Sequence, residues 1–286
     1  MTIKIVTDTT VWLPKEAFEE YNIINVPQYV VFGEESLRDY IDISPTEFYR
    51  RQAASKDLPK TSAPTVGDFQ VIYKDILTVY PDATILSIHP SSAVSGTVRS
   101  ALPAAANFPE ANIHVYDTRS ISVGLGLMVY QAARMAETGA TVDAILAQLE
   151  VMRDATQFFF LVDTLDYLAK GGRIGRAAHL FGTLLDIKPL LTLRDGVVED
   201  YTKYRTHKRA LAALIDMVIQ ECRGKEGLQL GIVHGDREAE AQEMAKQILA
   251  ELNPEVYFFG EIGPAIGVHA GPGALGIGWF APPVSS

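Results

Sequence analysis

The segment ATILSIHPSSAVSGT, residues 83–97, holds the unit on which the fold rests. Residues 83–88 form an apolar run of strand length. Residues 89–97 then bring Ser91, Ser92, Ser95 and Thr97 ahead of a helical pattern that begins at Thr97. A helix entering there aims its free N–H groups and positive dipole end at the loop, and Gly96 admits close approach of a ligand to the backbone. The segment is a carboxylate or phosphate site in outline, while Ser-rich connections of this kind also serve as ordinary helix caps.

Working outward, similar strands are read at 3–7 and 112–116. The first runs into Asp8, Thr9 and Thr10, and the carboxyl edge of an open sheet is where ligands gather. Pro14 opens a helix to about Tyr21. Residues 24–32 read as extended, with Pro27 arguing for an edge or a break. Ser44, Pro45 and Glu47 predict a helix over 45–54. In KTSAPTVGDF, residues 60–69, Pro64 biases Ala63 towards an extended conformation, and Thr65 with Asp68 caps a helix carrying Phe69, Ile72, Tyr73 and Ile76. Thr61 and Ser62 are therefore expected in a loop, free either to meet a ligand or to close local turns. Helices over 122–138, with Met128, Ala132 and Met135 on one face, and over 141–154 lead to a Phe-rich strand at 157–162. Alternating strands and helices imply a parallel sheet with right-handed crossovers.

Beyond residue 160 the texture changes. A short helix over 163–169 precedes the basic glycine-rich turn KGGRIGR, residues 170–176. Asp195 and Gly196 between apolar runs at 190–193 and 197–204 signal a hairpin. A helix over 206–222 carries Cys222 on its apolar face, and strands at 228–233, 256–259 and 275–280 flank a helix over 238–252. The expected fold is α/β with two domains: residues 1–160, a parallel sheet flanked by helices, and residues 161–286, a smaller unit with a mixed sheet, the ligand lying between them. The last stretch, IGPAIGVHAGPGALGIGWF at 262–280, sets His269 among glycines at a density suited to close approach rather than to a regular helix or strand. A lone histidine is equally a packed core residue donating to a carbonyl.

Composition narrows the function. The 286 residues are 48% hydrophobic and 21% charged, with a tail at 281–286 as the expected disordered part. A formal charge of −10 and scattered basic residues argue against a nucleic-acid footprint and against general attraction to anionic membranes. One cysteine excludes an internal disulfide and a multi-cysteine zinc site. The start reads directly into a strand with no signal-peptide pattern, and no run is long enough to span a bilayer, so a cytoplasmic location is expected. Ser95 lacks the G-x-S-x-G elbow, and neither a P-loop nor H-E-x-x-H is present. Gly124 and Gly126 lack the third glycine of a dinucleotide site, and the other histidines are dispersed, so no metal site is expected.

Eight markers in order give a more specific reading: TDTT, KTSAPT, SSAVSGT, VYDTRSISVGLG, DTLDYLAKGGRIG, DIKPLL, the YR before helix 206–222, and HAGPGALGIGWF. Over about residues 3–280 the chain resembles the DegV family of bacterial fatty-acid-binding proteins, which present acyl chains to a fatty acid kinase. It departs in two places, where the family more often has serine in the first marker and glutamine at Ala63. The resemblance implies a long-chain fatty acid as ligand, held through its carboxylate by Thr61, Ser62, Ser95, Gly96, Thr97 and His269. At about 0.8 kcal/mol per buried CH2, a chain of about 16 carbons gains on the order of 10 kcal/mol before binding costs. It further implies that Arg205 and His269 assist phosphoryl transfer by the partner kinase, that Lys170, Arg173 and Arg176 dock it, and that ATP and Mg belong to that partner, leaving this chain without a cofactor. The product would be an acyl phosphate destined for phospholipid synthesis. On sequence alone Arg205 also reads as a solvated helix start, and the GGRIG turn as a helix terminus. Two other functions stand beside the carrier: a hydrolase using Ser95 with His269 and Asp8 or Asp117, and a small-lipid sensor.

Overall fold

The computed structural model describes residues 2–182 and 187–282; the tail expected at 281–286 lies, from 283 on, outside them. In chain order the strands are β1 (Ile3–Asp8), β2 (Ile24–Val26), β3 (Tyr29–Phe32), β4 (Glu35–Arg38), β5 (Lys60–Ser62), β6 (Thr84–His89) and β7 (Ile113–Asp117). They continue with β8 (Gln157–Leu161), β9 (Lys188–Arg194), β10 (Val197–Tyr204), β11 (Gln229–His234), β12 (Val256–Glu261) and β13 (Leu275–Phe280). Among the described residues three sheets result, ordered β2-β1-β6-β7, β10-β9-β8-β13-β11-β12 and β4-β3-β5.

The first sheet is wholly parallel, as the strand–helix alternation requires. The second is mixed: β11 and β12 run parallel, and the remaining neighbours are antiparallel. By strands this mixed sheet is the larger, and it begins at β8, a strand that simple alternation would have added to the first sheet. The last strand, β13, lies in its interior, between β8 and β11. Asp195 and Gly196 close the β9–β10 hairpin with φ of 53° and 76°, the paired left-handed turn that this dipeptide favours.

Local signals act as their chemistry dictates. Ser44 accepts from the Glu47 N–H to cap helix Pro45–Ala54, and Thr65 and Asp68 form a reciprocal capping box on helix Val66–Val79. Pro27 splits the extended run at 24–32 into β2 and β3, which belong to different sheets.

Helix Ser122–Glu137 joins the two halves. It packs on β1 from one side and on β11 and β13 from the other, so it is buried around most of its girth rather than along one face. Its glycines serve that contact: a Cβ on Gly126 would stand 2.1 Å from the Trp12 carbonyl oxygen, and one on Gly124 would meet Ser120 Oγ at 2.3 Å. Opposite them, a Cβ on Gly231 would lie 1.9 Å from Val123. Of the glycines in the last stretch, Gly267 sits in helix Pro264–Ala270 and Gly276 and Gly278 in β13, whereas Gly263, Gly271 and Gly273 lie outside regular elements, the last two at positive φ. Among the described residues no helix is long and apolar enough to cross a membrane.

Candidate functional site

A cavity of about 890 Å3, counting its mouth, opens between the sheets. Most of its wall is apolar, with Phe158 and Phe160 from β8, Val233 from β11, Leu275 from β13, and Ile262 and Ile266 around helix Pro264–Ala270. Polar groups collect in a few places: Thr61, Ser95, Gly96, Arg173 and His269, with Thr10, Gln28 and Ser122 also on the wall.

His269 stands in the last turn of helix Pro264–Ala270, which starts with Pro264 and ends at Gly271, φ 74°. Its Nε2 is 2.8 Å from Thr61 Oγ1. Its Nδ1 is buried without a partner, and the ring rests so close to Gly171 that a Cβ there would fall 2.2 Å from Nδ1. Burial, and secondarily the Arg173 cation, lowers the imidazole pKa to about 4. The ring is thus neutral near pH 7. Because an orphaned buried N–H is rarer and costlier than a bare acceptor, the proton belongs on Nε2, where it is donated to Thr61. The hydroxyl proton of Thr61 is then free for a ligand.

Thr61 lies in β5, not in a loop, because residues 60–62 pair antiparallel with β3. Successive strand side chains face opposite ways. Ser62 accordingly points outward, exposed, with its hydroxyl donating to the Ala63 carbonyl, and is not part of the cavity wall. Thr97 is fully buried behind the wall, where its hydroxyl contacts Ser95 and Gln28. Of the hydroxyls at 91–97, only Ser95 lines the cavity. Ser91 instead donates to the Gly196 carbonyl at 2.8 Å and ties the loop to the hairpin.

Arg173 turns inward rather than out to a docking face: Nε donates to the Val94 carbonyl at 3.0 Å and Nη1 to that of Gly171 at 2.7 Å. Among the described residues no acidic group pairs with it, so its charge is left to act on the cavity. Lys170 is exposed, and Arg176 is half-exposed in ion pairs with Glu199 and Asp195. Arg205 is also exposed and is absent from the wall. It follows β10, the edge strand, whose Val198 does reach the cavity; seven residues at about 3.3 Å each carry extended chain up to roughly 23 Å further.

Among the described residues no hydrolytic set forms. Ser95 bonds Thr97 and His269 bonds Thr61. Asp8 is engaged by Thr10, Gln28 and His89, and Asp117 accepts from the Ser92 and Arg119 N–H groups. Ser87, His89 and Asp8 do make a hydrogen-bonded chain, but all are 0% exposed and out of reach of any substrate. Sequence reasoning missed Gln28 as a wall residue and the inward turn of Arg173, whereas Thr10 belongs to the cluster it set at the ligand-bearing edge of the sheet. The Pro27 break, which sets Gln28 at the junction of two sheets, was the available signal for the first.

The family model described as "Uncharacterised protein, DegV family" matches residues 2–282. The chain belongs to the DegV family. It is 33% identical to Protein DegV of Bacillus subtilis (strain 168) over 281 residues, covering 98% of this chain and 99% of that one. Its fold matches a DegV family protein from Thermus thermophilus, described for its fatty acid binding, with a TM-score of 0.92 and 34% identity over 99% of this chain and 100% of the other. It also matches DegV of Bacillus subtilis, described as a fatty acid binding protein, with a TM-score of 0.89 and 32% identity over 99% and 100% of the two chains.

Proposed function

We propose that this chain is a carrier that holds a long-chain fatty acid in the cavity between the sheets, acyl chain on the apolar wall and carboxylate beside Thr61, Ser95 and His269. One observation carries the reading: an otherwise apolar cavity has donor hydroxyls, a neutral imidazole and an arginine without an acidic partner among the described residues. Hydroxyl donors and a nearby guanidinium satisfy an anion that would be costly to bury alone. The relatives described as fatty acid binding support the same assignment.

Further along the same reading, a separate ATP-dependent kinase with its own Mg phosphorylates the bound acid, and the acyl phosphate passes to phospholipid synthesis in the cytoplasm. His269 orients the carboxylate. Arg173 offsets phosphate charge from inside the cavity, while exposed Arg205, Lys170 and Arg176 belong to the surface presented to the kinase. The kinase step rests on the family resemblance, which gives the phosphate role to Arg205 and His269; the part given to Arg173 rests on its place in the cavity wall, and the docking surface on the exposure of Arg205, Lys170 and Arg176.

Mass spectrometry of the protein purified from bacterial cells, native and then after solvent extraction, tests the carrier. A stoichiometric fatty acid is expected. An empty protein that also fails to take up added fatty acid would reject it. The kinase step stands or falls separately, on whether Arg205→Ala, still loaded with acid, slows acyl phosphate formation.

A further inference from the structure

Behind Ser95 runs a buried chain of hydrogen bonds that ligand contact alone does not require. Asp8, Gln28 and Thr97 are 0%, 3% and 0% exposed. Asp8 Oδ1 accepts from the Thr10 N–H at 2.9 Å and from its hydroxyl at 2.6 Å, and Gln28 Nε2 is 3.1 Å from the same oxygen. Turning the amide over would set oxygen against oxygen, so Gln28 presents its NH2 group. The second hydrogen of that group meets Thr97 Oγ1 at 2.8 Å.

Thr97 Oγ1 therefore accepts from Gln28, and its own proton must go elsewhere. The side chain is closed to water, and among the described residues its other partner is Ser95 Oγ at 2.9 Å. Ser95 Oγ also receives the Thr97 N–H at 3.3 Å. With both acceptor positions of Ser95 taken, its proton is left to point into the cavity it lines.

We propose that Gln28 is a positioning residue that fixes the proton direction of Ser95, so that Ser95 acts as a donor and not an acceptor and favours an ionised carboxylate over an alcohol of the same chain. The inference rests on the carboxylate-binding reading above and supplies its head-group choice. A carboxylate needs only donors, whereas an alcohol brings a proton that Ser95, with both acceptor positions taken, cannot receive.

The test compares binding of dodecanoate and 1-dodecanol by titration calorimetry near about pH 8, where the acid is ionised. Gln28→Met keeps the length of the side chain and removes both donors. Dodecanoate affinity is expected to fall about tenfold while that for the alcohol changes by less than about threefold. Thr97→Val should narrow the acid-to-alcohol ratio to the same extent, the double variant should narrow it no further, and Thr97→Ser should restore it. Ser95→Ala keeps the bonds among Asp8, Gln28 and Thr97 while removing the hydroxyl that receives the Thr97 proton, and provides a readout if either core variant fails to fold; it too should narrow the ratio. Equal loss of both ligands in Gln28→Met, or an unchanged ratio in Thr97→Val or Ser95→Ala, overturns the inference while leaving the carrier standing. A wild-type protein that binds neither ligand overturns both.

Discussion

The imidazole of His269 is held at about 4 by burial, with a smaller contribution from Arg173, whereas the unfolded group titrates near about 6.5. Between those values the unfolded chain binds a proton that the folded chain refuses. The stabilisation from the neutral ring is therefore complete above about pH 6.5 and is lost as pH falls towards 4, by at most roughly 3 kcal/mol. Asp39, 0% exposed and pushed up to about 7 by burial, acts in the opposite sense, its neutral carboxyl losing stability as pH rises. The readout is accordingly a difference: urea unfolding of wild type and His269→Gln across this range should show a downward slope towards acid in the wild type that the variant lacks. Thr61→Val keeps the shape of the side chain and deletes the donor freed by His269; fatty acid affinity should drop by about 1–3 kcal/mol in calorimetry. Ser62→Ala, on the outward side of the same strand, should leave that affinity unaltered.

Gly171 ends the short helix Asp166–Lys170 at φ −77°, a conformation any residue accepts. What excludes a side chain is the His269 ring, 2.2 Å from the Cβ position. Gly171→Ala should thus fold yet bind fatty acid about tenfold more weakly, seen by comparing thermal melts with titrations. Gly172→Ala makes the opposite pair of changes, because its φ of 69° strains an alanine while nothing lies within 4 Å of the new methyl: about 1 kcal/mol less stable, with binding intact. Elements whose signals are local were legible before the structure, among them the Ser44 and Thr65 caps, the Asp195–Gly196 hairpin and the Pro27 break. Strand β5 was not. Its three residues carry no periodicity and are extended because β3 supplies hydrogen-bonding partners.

For the molecule as a whole, an apolar cavity between two sheets predicts a ladder of affinities. Each added methylene contributes about 0.8 kcal/mol, so Kd for saturated acids should fall about fourfold per carbon until the cavity is filled and then level off. A series of chain lengths measured by displacement of a fluorescent fatty acid checks this, and an affinity independent of length would place the chain outside the apolar wall. By itself the sequence determined the alternation that makes the first sheet parallel, the capped helices and the hairpin. These follow from hydrogen-bond chemistry and periodicity within a few residues of each position. Only the tertiary structure decided that β8 and β13 sit inside the mixed sheet, that Ser62 and Thr97 leave the wall, that Arg173 enters it and Arg205 does not, and that Gln28 stands behind Ser95. Those outcomes depend on strand pairing and on contacts between residues as far apart as Thr61 and His269, 208 positions along the chain. A side chain's direction there is set by which sheet claims its backbone.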